Sequence, residues 1–173
     1  LYYSSLIFNM NVDFLTAIKL FFANYANFRG RSTRAEYWWV ALFLVIVSLA
    51  FSMLKLNLLN TIFSLAVFIP SLAIAFRRFH DTGRSGWGVF AFYVVAWIGA
   101  AIMLGPLVSI VITMANDPDG LREAMMGYFT NHPVAMFLGL ILILAAGIWQ
   151  LIILVMPSAP DNKYGPNPYG ENA

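Results

Sequence analysis

The stretch FRRFHDTGRSGWG, residues 76 to 88, is a polar segment between two long apolar segments, and it divides the chain into two halves. It holds three arginines, one histidine, one aspartate and three glycines. Over the whole chain of 173 residues, 10% are charged and 61% are hydrophobic, whereas ordinary soluble domains carry roughly 25% charged residues. So few charges do not cover the surface of a soluble domain, and the composition therefore predicts an integral membrane protein.

Apolar runs on both sides of this stretch predict the membrane-spanning helices. A single helix over residues 37 to 76 would be about 60 Å long, twice the roughly 30 Å thickness of the hydrocarbon core. The chain must therefore turn near Lys55 to Asn60, and Pro70 is expected to kink the helix that follows. The sequence predicts four spans, at about residues 37–54, 58–76, 87–112 and 134–156.

The predicted fold is an all-α integral membrane protein with four transmembrane helices in two hairpins, preceded by an amphipathic helix. Residues 11 to 28 place apolar side chains at helical spacing with polar ones mostly opposite, which favours a helix lying in the membrane interface over one packed on a core. Residues 11–156 form a single membrane domain. Residues 1–10 are expected to be an upstream extension, because Met10 resembles a start codon, and residues 157–173 a tail rich in proline, glycine and asparagine.

The distribution of basic residues predicts the orientation in a bacterial inner membrane. Four spans place both termini on one side, and Lys55 and Arg122 fall on the other. The positive-inside rule therefore predicts cytoplasmic N and C termini. The basic residues expected on the terminal side are Lys19, Arg29, Arg31, Arg34, Arg77, Arg78, Arg84 and Lys163.

Composition also bounds the cofactors and partners. The chain has no cysteine and only two histidines, His80 and His132, so no metal site and no cofactor is expected. Basic residues that lie beside apolar spans suit anionic lipid better than nucleic acid. We expect membrane phospholipids as partners, with a homo-oligomer or another membrane protein as further possibilities and no nucleic acid.

Polar side chains from two segments converge on the predicted cytoplasmic boundary. Arginine binds phosphate through two parallel hydrogen bonds, while Gly83 and Gly86 allow tight turns and close backbone approach. An acid beside arginines at a low-dielectric boundary is usually paired, so Asp81 is expected to fix His80 or Arg84. Glu36 is expected to pair with an arginine of residues 77 to 84. The candidate residues for binding a lipid phosphate or another anion are Arg31, Arg34, Glu36, Arg77, Arg78, His80, Asp81, Arg84 and Ser85.

Other interpretations of the same residues stay open. The arginines are sufficient to orient the spans without forming a site. Catalysis would use His80 as a general base beside Asp81, with arginines stabilising phosphoryl charge. Thr82 and Ser85 are expected to cap a helix that starts near Ser85. The tail either docks over the arginines as a lid or is disordered.

Three motifs resemble a family of small bacterial inner-membrane proteins of unknown function, typified by YhaH and YhaI. They are FRGRSTRAEYWW at 28–39, IPSLAIAFRRFHDTGRSGWG at 69–88 and NKYGPNPYG at 162–170. The resemblance covers roughly residues 10 to 170 and implies a four-helix inner-membrane protein, with no established activity to transfer. Members often carry a second tryptophan after Trp87, where this chain has Gly88. The expected function is a non-enzymatic membrane module that binds head groups or another anion, and the alternative is an enzyme or transport accessory acting on a phosphate-bearing lipid.

Overall fold

The structure is a computed structural model that describes residues 12–114 and 116–168. Its helices are α1 (Phe14–Ala23), α2 (Arg34–Met53), α3 (Asn57–Asp81), α4 (Gly88–Thr113), α5 (Pro118–Asn131) and α6 (Pro133–Val155). Among the described residues, α2, α3, α4 and α6 are long and apolar enough to cross a membrane. This confirms the predicted all-α protein with four spans and a short N-terminal helix, while the predicted extension at residues 1–10 lies outside the described part.

The chain divides into two compact units. One comprises the residues up to Val89 together with those from Ile153 onward, and the other comprises Phe90–Ile152. The first unit contains α1, α2, α3 and the tail, and it holds every candidate site residue. The second unit contains α5 and most of α4 and α6.

Helix α3 is longer than the sequence predicted, and the difference bears on the site. Its last turns contain four polar residues beyond residue 76, where the sequence predicted the end of the span: Arg77, Arg78, His80 and Asp81. A helix of 25 residues is about 38 Å long, which exceeds the hydrocarbon thickness of about 30 Å. The helix therefore carries these polar residues past the apolar layer without being interrupted.

Helix α1 docks on α2 and α3 with one face and leaves the other exposed. Ala17 and Phe21 are fully buried against Val40 and Val67, whereas Leu15 is 64% exposed. The helix is thus not held by lipid alone, because the protein itself supplies an apolar surface for it.

The first turn of α1 is fixed by its N-cap. Asp13 accepts a hydrogen bond of 2.9 Å from the N–H of Thr16. This bond favours the charged carboxylate and lowers the pKa of Asp13 below its ordinary value. Asp13 is therefore charged where a helix N-terminus favours negative charge.

Pro70 creates the contact that anchors the segment after α1. Proline has no N–H, so the carbonyl of Ala66, four residues earlier in α3, has no helical donor. The hydroxyl of Tyr25 donates to that carbonyl. Helix α3 therefore continues through Pro70, and the polar group that proline leaves unpaired becomes a tertiary attachment point.

The same C-terminal motif ends both α2 and α3. At the end of α3, Gly83 has a φ of +76°. The N–H of Gly83 bonds to the carbonyl of His80 and that of Arg84 to the carbonyl of Phe79, each at 3.0 Å. At the end of α2 the equivalent left-handed position is taken by Lys55, with a φ of +56°. These are Schellman motifs, in which glycine is the residue without steric cost.

Substitutions at Gly83 and Lys55 are expected to change the stability of the protein in opposite directions. Gly83→Ala is expected to destabilise the protein by about 1–2 kcal/mol, because a left-handed backbone penalises any side chain. A Cβ there would lie 3.7 Å from the Cβ of Ala159, an ordinary contact that adds no clash. Lys55→Gly relieves the same penalty and is expected to be neutral or stabilising by up to about 1 kcal/mol. Denaturant titration in mild detergent measures both, and a stable Gly83→Ala variant would contradict the motif.

In the Phe90–Ile152 unit, glycines bring α4 and α6 into close contact. A Cβ on Gly99 would lie 2.7 Å from the carbonyl oxygen of Gly139, so the helix backbones touch at this point. Helix α4 continues through Gly105 and Pro106 without ending. Helix α5 begins at the N-cap Asp117, which accepts the N–H of Gly120 at 3.1 Å.

Candidate functional site

The centre of the site is Asp81, whose side chain is fully buried. One carboxylate oxygen accepts from Nε of Arg31 at 3.0 Å. The other accepts from Arg78 and from the hydroxyl of Ser158. We call Arg31, Arg78, Asp81 and Ser158 the Asp81 cluster, and its members come from three separate segments of the chain. The predicted pairing of Asp81 with His80 or Arg84 is therefore wrong, because two other guanidinium groups and a hydroxyl occupy both oxygens.

Arg31 uses all of its donors inside the protein. Its Nη1 donates to the carbonyls of Pro160 and Gly165 at 3.0 and 3.1 Å. Its Nη2 donates to the carbonyls of Asp81 and Ala159, and Nε is taken by the Asp81 carboxylate. A guanidinium has five N–H groups, so none of them is left over for an external phosphate.

Arg77 and Arg78 are adjacent in α3, and each caps the C-terminal end of a different helix. Arg77 donates to the carbonyls of Asn24 and Asn27, at and just beyond the end of α1. Arg78 donates to the carbonyls of Leu154 and Met156, at the end of α6. The last carbonyls of a helix lack internal donors and carry partial negative charge. The two arginines therefore satisfy these groups from within α3.

A second buried group surrounds Glu36. Its carboxylate accepts from the hydroxyl of Ser32 at 3.0 Å and from Nη2 of Arg77 at 3.3 Å. Ser32 in turn accepts from Nε of Arg77 at 2.8 Å. We call Ser32, Glu36 and Arg77 the Glu36 cluster. The predicted pairing of Glu36 with an arginine of residues 77 to 84 is confirmed.

His80 lies beside the Asp81 cluster without joining it. Its Nδ1 lies 3.1 Å from the carbonyl oxygen of Gly30, and a carbonyl only accepts, so this nitrogen carries the proton. The imidazole stacks on the ring of Tyr164 with centroids 3.8 Å apart. A histidine–aspartate catalytic pair requires the carboxylate to orient the imidazole, and here a backbone carbonyl does so instead.

The tail residues 157–168 dock over these groups. The N–H of Ala159 donates to the carbonyl of Asp81 at 2.8 Å, and the side chain of Asn162 donates to the carbonyl of His80 at 3.1 Å. A tight turn pairs Asn162 with Gly165, which presents the Gly165 carbonyl to Arg31. The structure therefore has a docked tail over residues 157–168 and not a disordered one. We call residues 29–36, 77–86 and 157–168 together the polar end.

Arg34, Arg84 and Ser85 stay outside both clusters and are exposed. Arg84 contacts the sulfur of Met156 at 2.9 Å. Ser85 does not cap α4, which begins at Gly88, and the hydroxyl of Thr82 donates back to the carbonyl of Phe79 at 2.9 Å. The capping prediction was wrong because the α3 motif and a following turn separate both side chains from the start of α4.

Several contributors to the site were not predicted. Ser32, Ser158, Asn162 and Tyr164 complete the hydrogen bonds of the buried charges. Ser32 lies in the motif FRGRSTRAEYWW, and the tail motif NKYGPNPYG gave a further signal, since asparagine and glycine in a short run indicate a structured turn. Gly86 was expected to allow close approach, and a Cβ there would overlap the ring of Phe76.

Comparisons with known proteins agree with this architecture. The model of the family described as "Protein of unknown function (DUF805)" matches residues 25–171. Inner membrane protein YhaI of Escherichia coli K12 is 40% identical over 83 residues, covering 43% of this chain and 70% of YhaI. Inner membrane protein YhaH of the same strain is 37% identical over 87 residues, covering 43% of this chain and 72% of YhaH. No solved structure matches.

The family match includes the segments that form both buried clusters and the docked tail. The resemblance seen in the three motifs is therefore confirmed. With four candidate spans and relatives named as inner membrane proteins, the chain is a multi-pass inner-membrane protein and belongs to the DUF805 family of proteins of unknown function.

Proposed function

We propose that the protein is a non-enzymatic membrane module whose polar end faces the cytoplasm and binds anionic phospholipid head groups. One observation carries the proposal. The acids Glu36 and Asp81 are buried and paired, whereas the charged side chains left exposed at the polar end are one acid, Asp161, and four basic residues. The basic residues are Arg29, Arg34, Arg84 and Lys163.

The hydrogen bonds of the arginines separate those with a structural role from those free to contact lipid. Arg31, Arg77 and Arg78 donate to carboxylates, carbonyls and the Ser32 hydroxyl within the protein. Arg34 and Arg84 are exposed, and neither forms an ion pair with a carboxylate in the described part of the chain. We therefore assign the head-group contacts to Arg34 and Arg84, with Ser85 adjacent, and a supporting role to the buried arginines.

The cytoplasmic orientation rests on charge. Lys55, at the turn between α2 and α3, and Arg122, in α5, are the basic residues predicted for the opposite side. The excess of lysine and arginine at the polar end supports a cytoplasmic location by the positive-inside rule. Anionic lipids of the cytoplasmic leaflet attract basic residues with about 1 kcal/mol for each residue near the surface.

The test replaces the exposed arginines and leaves the buried clusters intact. The double variant Arg34→Gln, Arg84→Gln is expected to bind phosphatidylglycerol about 30-fold more weakly than the wild type, because two basic contacts of about 1 kcal/mol each are lost. Native mass spectrometry of the full chain released from nanodiscs measures the retained lipid. Arg122→Gln, an exposed arginine of α5, is the matched control and should change nothing.

Lysine substitutions separate head-group binding from orientation alone. If Arg34→Lys and Arg84→Lys together retain wild-type phosphatidylglycerol, bidentate recognition is excluded and general charge suffices. Equal losses in the double variant and in Arg122→Gln, after allowing for the number of charges removed, would overturn the proposal.

A further inference from the structure

A separate cavity lies in the Phe90–Ile152 unit, between the C-terminal part of α4 and helix α5. Its volume is about 510 Å³. Helix α5 is attached to α4 by the hydroxyl of Tyr128, which donates to the carbonyl of Met103, so both walls are held in place. We call this space the α4–α5 cavity, and none of its lining residues belongs to the polar end.

The charged part of the lining of the α4–α5 cavity would attract a cation. Glu123 is the charged side chain among the described residues that line it, and neither a lysine nor an arginine accompanies it there. The rings of Tyr128 and His132 also line the cavity, with centroids 4.9 Å apart and an interplanar angle of 37°. A carboxylate attracts an ammonium group by its charge, and the face of an aromatic ring attracts it as well.

The α4–α5 cavity also has an apolar part of its lining, formed by Ile110, Met114 and Ala124. Ile110 and Met114 lie at the C-terminal end of α4 and just after it. Helix α4 has 26 residues and is about 39 Å long, longer than the hydrocarbon core of about 30 Å. Its C-terminal turns therefore reach the boundary between hydrocarbon and water, where amphiphilic molecules place their head groups.

We propose that the α4–α5 cavity binds an ammonium group carried on an aliphatic chain. Glu123 pairs with the ammonium in the space that Tyr128 and His132 also line, and Ile110 and Met114 contact the chain. The head group of phosphatidylethanolamine and a free long-chain amine share this chemistry. The site is independent of head-group binding at the polar end, which selects anionic lipid through arginine.

The test uses the full chain in nanodiscs that contain equal amounts of phosphatidylethanolamine and phosphatidylglycerol. The wild type is expected to retain phosphatidylethanolamine at this site, and Glu123→Gln to retain it about tenfold less, which corresponds to about 1.4 kcal/mol. Asp119→Asn removes an acid from the first turn of the same helix without touching the cavity lining, and it serves as the matched control. Native mass spectrometry gives the retained lipid for each variant.

Two amines distinguish the sources of the ammonium group. Dodecylamine and ethylamine are titrated by calorimetry into the protein in phosphatidylglycerol nanodiscs, and binding of dodecylamine alone shows that the aliphatic chain is required. If dodecylamine binds in a Glu123-dependent manner while phosphatidylethanolamine is not retained, the ligand is a free amine rather than a lipid. Equal effects of Glu123→Gln and Asp119→Asn, or binding of neither amine and no preference for phosphatidylethanolamine, overturn the proposal.

Discussion

Asp81→Asn is expected to lower the free energy of unfolding by about 3–5 kcal/mol, the cost of removing one partner from a buried ion pair. The substitution keeps the size of the side chain but removes the charge that compensates Arg31 and Arg78. The asparagine amide would also point N–H groups toward donors, since both carboxylate oxygens now accept hydrogen bonds. The loss is large because the carboxylate is fully buried, where water does not replace it.

Denaturant titration in mild detergent, followed by tryptophan fluorescence, measures this loss. Asp161→Asn is the matched control, because Asp161 is an exposed acid of the same tail whose carboxylate accepts from the backbone N–H of Asn167. That control is expected to change stability by no more than about 1 kcal/mol. Equal stabilities of the two variants would show that the Asp81 cluster does not hold the polar end together.

Arg31→Lys is expected to release the tail and to destabilise the protein by about 3 kcal/mol. Lysine keeps the positive charge but offers three donors from one atom, and it does not reproduce the planar fork that serves five acceptors. At least two of the five acceptors would then lose their bond to residue 31, and each one left without a partner away from water costs about 1–3 kcal/mol.

Hydrogen exchange and limited proteolysis report the release of the tail directly. The N–H of Ala159, which donates to Asp81, should exchange faster in Arg31→Lys, and trypsin should cleave after the exposed Lys163 more rapidly than in the wild type. Arg34→Lys, three residues further along and exposed, should leave both rates unchanged. Unchanged exchange at Ala159 in Arg31→Lys would mean that the tail is held by other contacts.

The number and position of the membrane spans were predictable because they depend on the length and hydropathy of each apolar run, which are read directly from the sequence. The apolar runs, their lengths and the interruption at Lys55 fix four spans within a few residues, since the bilayer thickness sets the required length. The convergence of residues 29–36 with residues 77–84 followed from the parity of the spans. Neither inference needed the direction of any side chain.

The pairing within the site was not predictable for a physical reason. Arg77 and Arg78 are neighbours, yet the helical rotation of about 100° per residue sends one to α1 and the other to α6. The sequence placed both residues beyond the predicted end of the span at residue 76, and outside a helix this rotation is undefined. Ser158 bonds to Asp81 and the carbonyl of Gly165 accepts from Arg31. Both lie far along the chain from these partners, and composition alone does not indicate that they are close in space.

The hydrogen bonds of Arg31 to distant parts of the chain have a consequence for biosynthesis. Its carboxylate partner, Asp81, is translated and inserted with α3, but the carbonyls of Ala159, Pro160 and Gly165 emerge only after α6 has been made. Until then, a growing chain holds a guanidinium with most of its acceptors missing at the edge of the lipid. A chain that stalls before the tail is made therefore lacks three of the five acceptors that Arg31 has in the finished protein.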